Sequence, residues 1–139
     1  ADAGLPPRHL CLELTESTLL VDPAAAATRF EQLREIGVGL AIDDFGTGYS
    51  SILQLKRLPL TAVKVDRSFV SGLARASSDR AIVAATVSMA RGLGLDVTAE
   101  GVETETQREI LLELGCTRAQ GFLLSRPEPA AAIASRVVT

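Results

Sequence analysis

Five short strand-like segments, each followed by a helix-like one, are the feature that most limits what this chain can fold into. Residues 10–14 form an apolar run around Glu13 and predict a strand. Asp22-Pro23 follows as an N-cap with proline in the first helical position, and Ala27, Phe30, Leu33 and Ile36 recur at helical spacing until Gly37. Residues 38–42 predict a second strand, followed by Asp43-Asp44 and the turn Phe45-Gly46-Thr47-Gly48. A short helix through Ile52 and Leu55 stops before Pro59, and Ala62–Val65 reads as a third strand ending in Asp66. Asp79 is the expected cap of a long helix carrying Ile82, Val83, Met89 and Leu93, closed by Gly92 and Gly94. Asp96–Ala99 predicts a fourth strand. Thr104 and Gln107 form a capping box for a helix bearing Ile110, Leu111 and Leu114, with Gly115 at its end. Residues 118–123 and 130–138 complete the series as strand and Ala-rich helix.

This alternation predicts an α/β fold, a parallel sheet with helices packed outside it. A closed eight-stranded barrel needs about 250 residues, so the 139 residues here supply five units of one. An open doubly wound sheet is the alternative. No linker, low-complexity tract or repeat divides the chain. With 47% hydrophobic, 22% charged and 4% aromatic residues, it is a globular chain whose core must be aliphatic.

Other classes are limited by what is scarce. A net charge of −3 argues against a DNA- or RNA-binding surface. It permits an anionic ligand where metal ions stand between ligand and carboxylates. No segment is apolar for the ~20 residues of a membrane span. His9, the single histidine, has no partner at metal-ligand spacing and reads as a surface residue, which disfavours Ser-His-Asp or Cys-His chemistry. Cys11 and Cys116 lie far apart in sequence and read as reduced thiols of a cytoplasmic domain.

The polar residues fall at the strand ends: Glu13 in the first, Asp43 and Asp44 after the second, Lys64 and Asp66 on the third, Glu100 and Glu103 after the fourth, and Gln120 on the fifth. The C-terminal strand ends form the ligand face of parallel α/β folds. Lys64 and Asp66, two apart, leave the same face of their strand. Asp43 and Asp44 would point oppositely, so the chain must bend at Asp44 for both to reach one site. Converging carboxylates need cations to stay ionised. Hard oxygen donors suit Mg²⁺ or Mn²⁺, and two such ions suit in-line attack on a phosphodiester, with Lys64 holding the water or the developing charge. Carboxylates after strands also cap helices, a role that suits Asp22 and Thr104 better than catalysis. A series of Asp-Asp, Lys and Glu at successive strand ends is harder to explain that way.

On these residues the chain resembles the EAL domains that hydrolyse cyclic di-GMP. The matching segments are Leu12-Glu13-Leu14-Thr15-Glu16-Ser17, Asp43-Asp44-Phe45-Gly46-Thr47-Gly48-Tyr49-Ser50-Ser51, Lys64-Val65-Asp66-Arg67-Ser68-Phe69, Ala99-Glu100-Gly101-Val102-Glu103 and Gln120-Gly121-Phe122, with Ser125-Arg126-Pro127 beyond. The resemblance implies a partial TIM-like (β/α)8 barrel of the EAL type. Residues 1–139 would be the C-terminal part of a single such domain, about its last five βα units. It implies metal-ligand roles for Glu13, Asp43, Asp44 and Glu100, with Asp43 bridging. Lys64 would contact the hydrolytic water, and Glu103 and Gln120 would order ligands or water beside Glu100 at the catalytic centre. Glu16 would anchor the loop over 43–51, associated with metal binding and dimer communication, and Asp66 would have a supporting role. The implied reaction opens cyclic di-GMP to linear pGpG with two Mg²⁺ or Mn²⁺ ions, in bacterial second-messenger signalling.

The family's Glu-Ala-Leu tripeptide and a metal-binding Asn are absent from the sequence. Twelve residues precede Glu13, and there is neither an initiator Met nor a signal-peptide layout. The expectation is therefore a fragment of a longer protein, inactive and poorly stable alone. The complete domain would be a homodimer, fused to GGDEF or other regulatory domains and in the cytoplasm even where its parent is membrane-anchored. The alternative is a non-catalytic cyclic di-GMP receptor or interaction domain, against which the intact Glu13, Asp43, Asp44, Lys64, Glu100 and Glu103 set argues.

Overall fold

The computed structural model describes residues 4–15, 23–46 and 56–137. A 3-10 turn at Pro7–His9 leads into β1 (Cys11–Thr15), followed by α1 (Pro23–Glu35), β2 (Gly39–Phe45) and β3 (Ala62–Val65). Then come α2 (Arg67–Gly72), α3 (Ser77–Gly92), β4 (Asp96–Ala99), α4 (Glu105–Glu113), β5 (Arg118–Ala119) and α5 (Ala130–Val137). The cap at Asp22, Glu16, the motif residues 47–51 and the helix through Ile52 and Leu55 lie outside the described residues.

The five strands form one parallel sheet in the order β1-β2-β3-β4-β5. A doubly wound sheet reverses its strand order at a switch point; this one does not. Sequential order with helical crossovers is the winding of a (β/α) barrel, here five strands of it with no closure among the described residues.

Helices pack on one face through two apolar clusters. One joins Val63 and Val65 of β3 and Val97 and Ala99 of β4 to Val83, Val87 and Ala90 of α3 and to Leu111 of α4. The other joins Leu40 and Ile42 of β2 to Phe30 of α1. Val63, Val65, Val70, Val83, Leu40 and Ile42 are essentially sealed from water; each such side chain contributes about 1.5–3 kcal/mol. The alternating positions point to the opposite face, and Lys64 is among them.

Several sequence expectations are revised. Asp79 does not cap the long helix: Ala76 is its N-cap, with no side-chain bond, and Asp79 lies in the first turn. The segment expected as a strand over 118–123 is strand only at Arg118–Ala119. Helix α2, unforeseen, begins directly behind β3. The Thr104–Gln107 capping box is present as expected.

Candidate active site

The site begins with an irregularity in β2. Ile42 pairs with Val63 and Phe45 with Val65, so Asp43 and Asp44 together face the single residue Lys64. Two residues opposite one make a β-bulge. Asp44 takes φ 53, the only positive φ outside glycine among the described residues, and this left-handed turn re-aims its side chain. The bend expected of Asp44 is therefore made at Asp44 itself, one residue before the Gly-containing turn.

Lys64 sits at the centre. It is 6% exposed. Its Nζ lies 2.6 Å from Glu100 Oε1, 2.7 Å from Glu13 Oε2 and 3.1 Å from Asp43 Oδ1. Burial alone would push the ammonium down, but its bonds to Glu100, Glu13 and Asp43 outweigh this and hold its pKa above the usual lysine range. Glu100 is pushed up, first by burial and then by the charges of Asp43 and Glu13, against the pull of Lys64. Asp44 is also pushed up, by desolvation and by the neighbouring Asp43 and Asp66 charges.

Asp66 has a local task. Its carboxylate accepts from Ser68 N at 2.9 Å and from Ser68 Oγ, capping α2. These bonds, with one from Asp44, outweigh desolvation and hold Asp66 below the usual carboxylate range. Asp44 and Asp66 thus act on each other in opposite senses, Asp44 pushed up and Asp66 held down.

Beside this cluster is a cleft of about 330 Å³ whose lining includes Asp44, Asp66, Glu100, Glu103 and Gln120. Gln120 is held by backbone bonds on both sides, its N–H donating to Ala99 O and its carbonyl accepting from Val102 N. Glu103 is exposed, but its N–H donates to Gln107 Oε1 at 2.8 Å. The same oxygen accepts from Thr104 N at 3.0 Å. Gln107 is buried, so the start of α4 fixes the backbone beneath Glu103. No motif pointed to this second use of the capping glutamine.

A divalent cation fits the donor set. Asp43, Asp44 and Glu100 each offer an oxygen within 4.8 Å of the others. Asp43 Oδ1 is buried with no aligned hydrogen-bond donor, despite Lys64 3.1 Å away. Lys64 is the charge partner of this oxygen, but its hydrogen-bonding capacity is unfilled, and all three donors are the hard oxygens that Mg²⁺ and Mn²⁺ favour. Glu13 adjoins the group through Lys64. The structure thus brings together Glu13, Asp43, Asp44, Lys64 and Glu100, with Asp66, Glu103 and Gln120 along the adjoining cleft.

The EAL domain family model matches residues 1–127. MucR of Pseudomonas aeruginosa, a bifunctional diguanylate cyclase/cyclic di-GMP phosphodiesterase, is 57% identical over 127 residues, or 91% of this chain and 18% of MucR. The solved MucR phosphodiesterase in complex with c-di-GMP superposes with a TM-score of 0.90 at 55% identity, over 95% of this chain and 53% of that one. BlrP1 of Klebsiella pneumoniae, solved as a manganese/c-di-GMP complex, gives a TM-score of 0.84 at 39% identity, over 91% of this chain and 32% of that one. The chain spans about a fifth of MucR's length. With its bulged Asp43-Asp44 pair, the Lys64 hub and Glu100 in the family's order, the chain belongs to the EAL domain family.

Proposed function

We propose that the whole protein carrying this chain is a divalent-metal-dependent phosphodiesterase that hydrolyses cyclic di-GMP to linear pGpG. The observation that carries this reading is the Lys64-centred carboxylate cluster, in which Asp43, Asp44 and Glu100 each turn an oxygen toward one point. Relatives named as cyclic di-GMP phosphodiesterases, and the c-di-GMP and manganese complexes of MucR and BlrP1, support the substrate and the metal.

Glu13, Asp43, Asp44 and Glu100 would hold Mg²⁺ or Mn²⁺, two ions in the complete site. When bound, the metal neutralises the phosphate and acidifies water. Lys64, buried and cationic, would direct a lone pair of the attacking water at phosphorus and offset the charge that develops there. The water oxygen bonds to phosphorus as the P–O3′ bond breaks. The departing ribose oxygen takes a proton, leaving a 5′-phosphate on pGpG. Glu103 and Gln120 would order water and ligand from the cleft. Asp66, through α2 and Asp44, would support the geometry.

The test is incubation of the whole protein with cyclic di-GMP and Mn²⁺ or Mg²⁺, with products separated by chromatography. Formation of pGpG that stops on chelation is expected. Binding without turnover would instead make the protein a receptor, and absence of both would overturn the reading.

A further inference from the structure

The cleft beside the carboxylate cluster carries a charge problem. Asp44, Asp66, Glu100 and Glu103 all line it, and the nearby Lys64 ammonium is already held by three carboxylates. A cyclic dinucleotide bears two phosphodiesters. If one meets the metal site, the other must lie against acidic walls unless a cation receives it.

Arg67 lines the same cleft. It is exposed, and it forms no ion pair with any described residue. Arg80, Arg108 and Arg118, by contrast, each pair with a carboxylate, and Arg126 lies over the Phe122 ring. The base of its side chain lies close against the site: a Cβ placed on Gly101 would come within 2.6 Å of Arg67 Cβ, and Gly101 directly follows Glu100. The stem of Arg67 thus starts against the backbone that follows Glu100, and its charge is not paired with any described carboxylate. Its planar donors match two oxygens of a phosphate.

We propose that Arg67 is a substrate-binding residue that receives the second, non-scissile phosphate of the cyclic dinucleotide. This rests on the phosphodiesterase reading above and adds a specificity contact to it.

Steady-state kinetics of the whole protein with cyclic di-GMP and Mn²⁺ test the assignment. R67A and R67Q are expected to raise KM roughly tenfold, the scale of one charge-assisted hydrogen bond, with the loss falling on KM rather than kcat. R67K should restore only part of the affinity, because lysine keeps the charge but not the fork, and the gap between wild type and R67A should narrow as salt rises. Should the wild type bind without turnover, dissociation constants replace KM and the same ranking is expected. An unchanged KM in R67A overturns the Arg67 assignment alone. So does a gap between wild type and R67A that salt leaves unchanged, which would mark a contact to a neutral base edge rather than to a phosphate. A wild type that neither binds nor hydrolyses the dinucleotide overturns both proposals.

Discussion

Lys64 Nζ of β3 and Glu100 Oε1, just past the end of β4, are 2.6 Å apart; the register of the two strands sets Lys64 opposite Thr98, two residues before Glu100. The ammonium therefore reaches along the sheet toward its C-terminal end, where Asp43 and Glu13 also meet it. It is the counter-ion of the cluster but offers no ligand to a metal. Removing it raises the negative charge that a metal would feel. Lys64→Met should therefore lower the melting temperature in chelator, through unscreened carboxylate repulsion. It should make the stabilisation by added Mn²⁺ larger than in wild type. Turnover should still fall by roughly 10²–10³-fold, as for loss of a group that stabilises transition-state charge. Thermal melts with and without Mn²⁺ read the first two effects. A smaller Mn²⁺ shift in Lys64→Met would mean that Lys64 organises the ligands rather than competing with the metal.

Asp43→Asn keeps the side-chain shape and removes the charge of the residue whose buried oxygen lacks a hydrogen bond. In chelator the protein should be as stable as wild type or slightly more so, because a carboxylate has left a like-charged group. The Mn²⁺-induced rise in melting temperature should shrink severalfold, and pGpG formation should be lost. A metal response equal to wild type would remove Asp43 from the ligand set.

Much of this site could be anticipated from residue type and spacing. The Asp43-Asp44 pair had to bend to be useful, and Lys64 and Asp66 had to share a face. What spacing could not supply was register: only the pairing of Ile42 with Val63 and Phe45 with Val65 sets both aspartates against Lys64. Helix α2 leaves no sequence signal because six residues, Arg67–Gly72, are too few to display a helical period. Asp79 has the residue type of a cap, but several polar residues precede the apolar stripe, and the helix begins two residues earlier, at Ser77. Ala62–Val65, by contrast, was legible to the residue, since β-branched side chains flank the one lysine.

The bulge makes a separate prediction about stability. Asp44 occupies a left-handed conformation that costs most residues about 1–2 kcal/mol but that Asn and Asp tolerate. Asp44→Asn should fold at least as well as wild type in chelator, whereas Asp44→Ala should be less stable than Asp44→Asn by roughly 1 kcal/mol. Urea midpoints with equal slopes would measure this. Equal midpoints for the two variants would mean that the bulge relaxes when the carboxylate goes.

Gln107 offers the last prediction, because it links a helix cap to the site. Its Oε1 accepts the N–H groups of both Glu103 and Thr104 from a buried position. Gln107→Leu fills similar volume but leaves both donors without that acceptor, at about 1–3 kcal/mol for each donor that water cannot reach. Thr104→Ala removes the other half of the box, the 3.3 Å bond from Gln107 N to Thr104 Oγ1, and should cost about 1 kcal/mol without freeing the Glu103 N–H. The two variants therefore separate stability from positioning. Both should lower the urea midpoint. Only Gln107→Leu should also reduce kcat, by loosening the backbone that carries Glu103 along the edge of the cleft. A Thr104→Ala variant with an equal loss of kcat would show that the helix start as a whole, rather than the Gln107 acceptor, holds Glu103 in place.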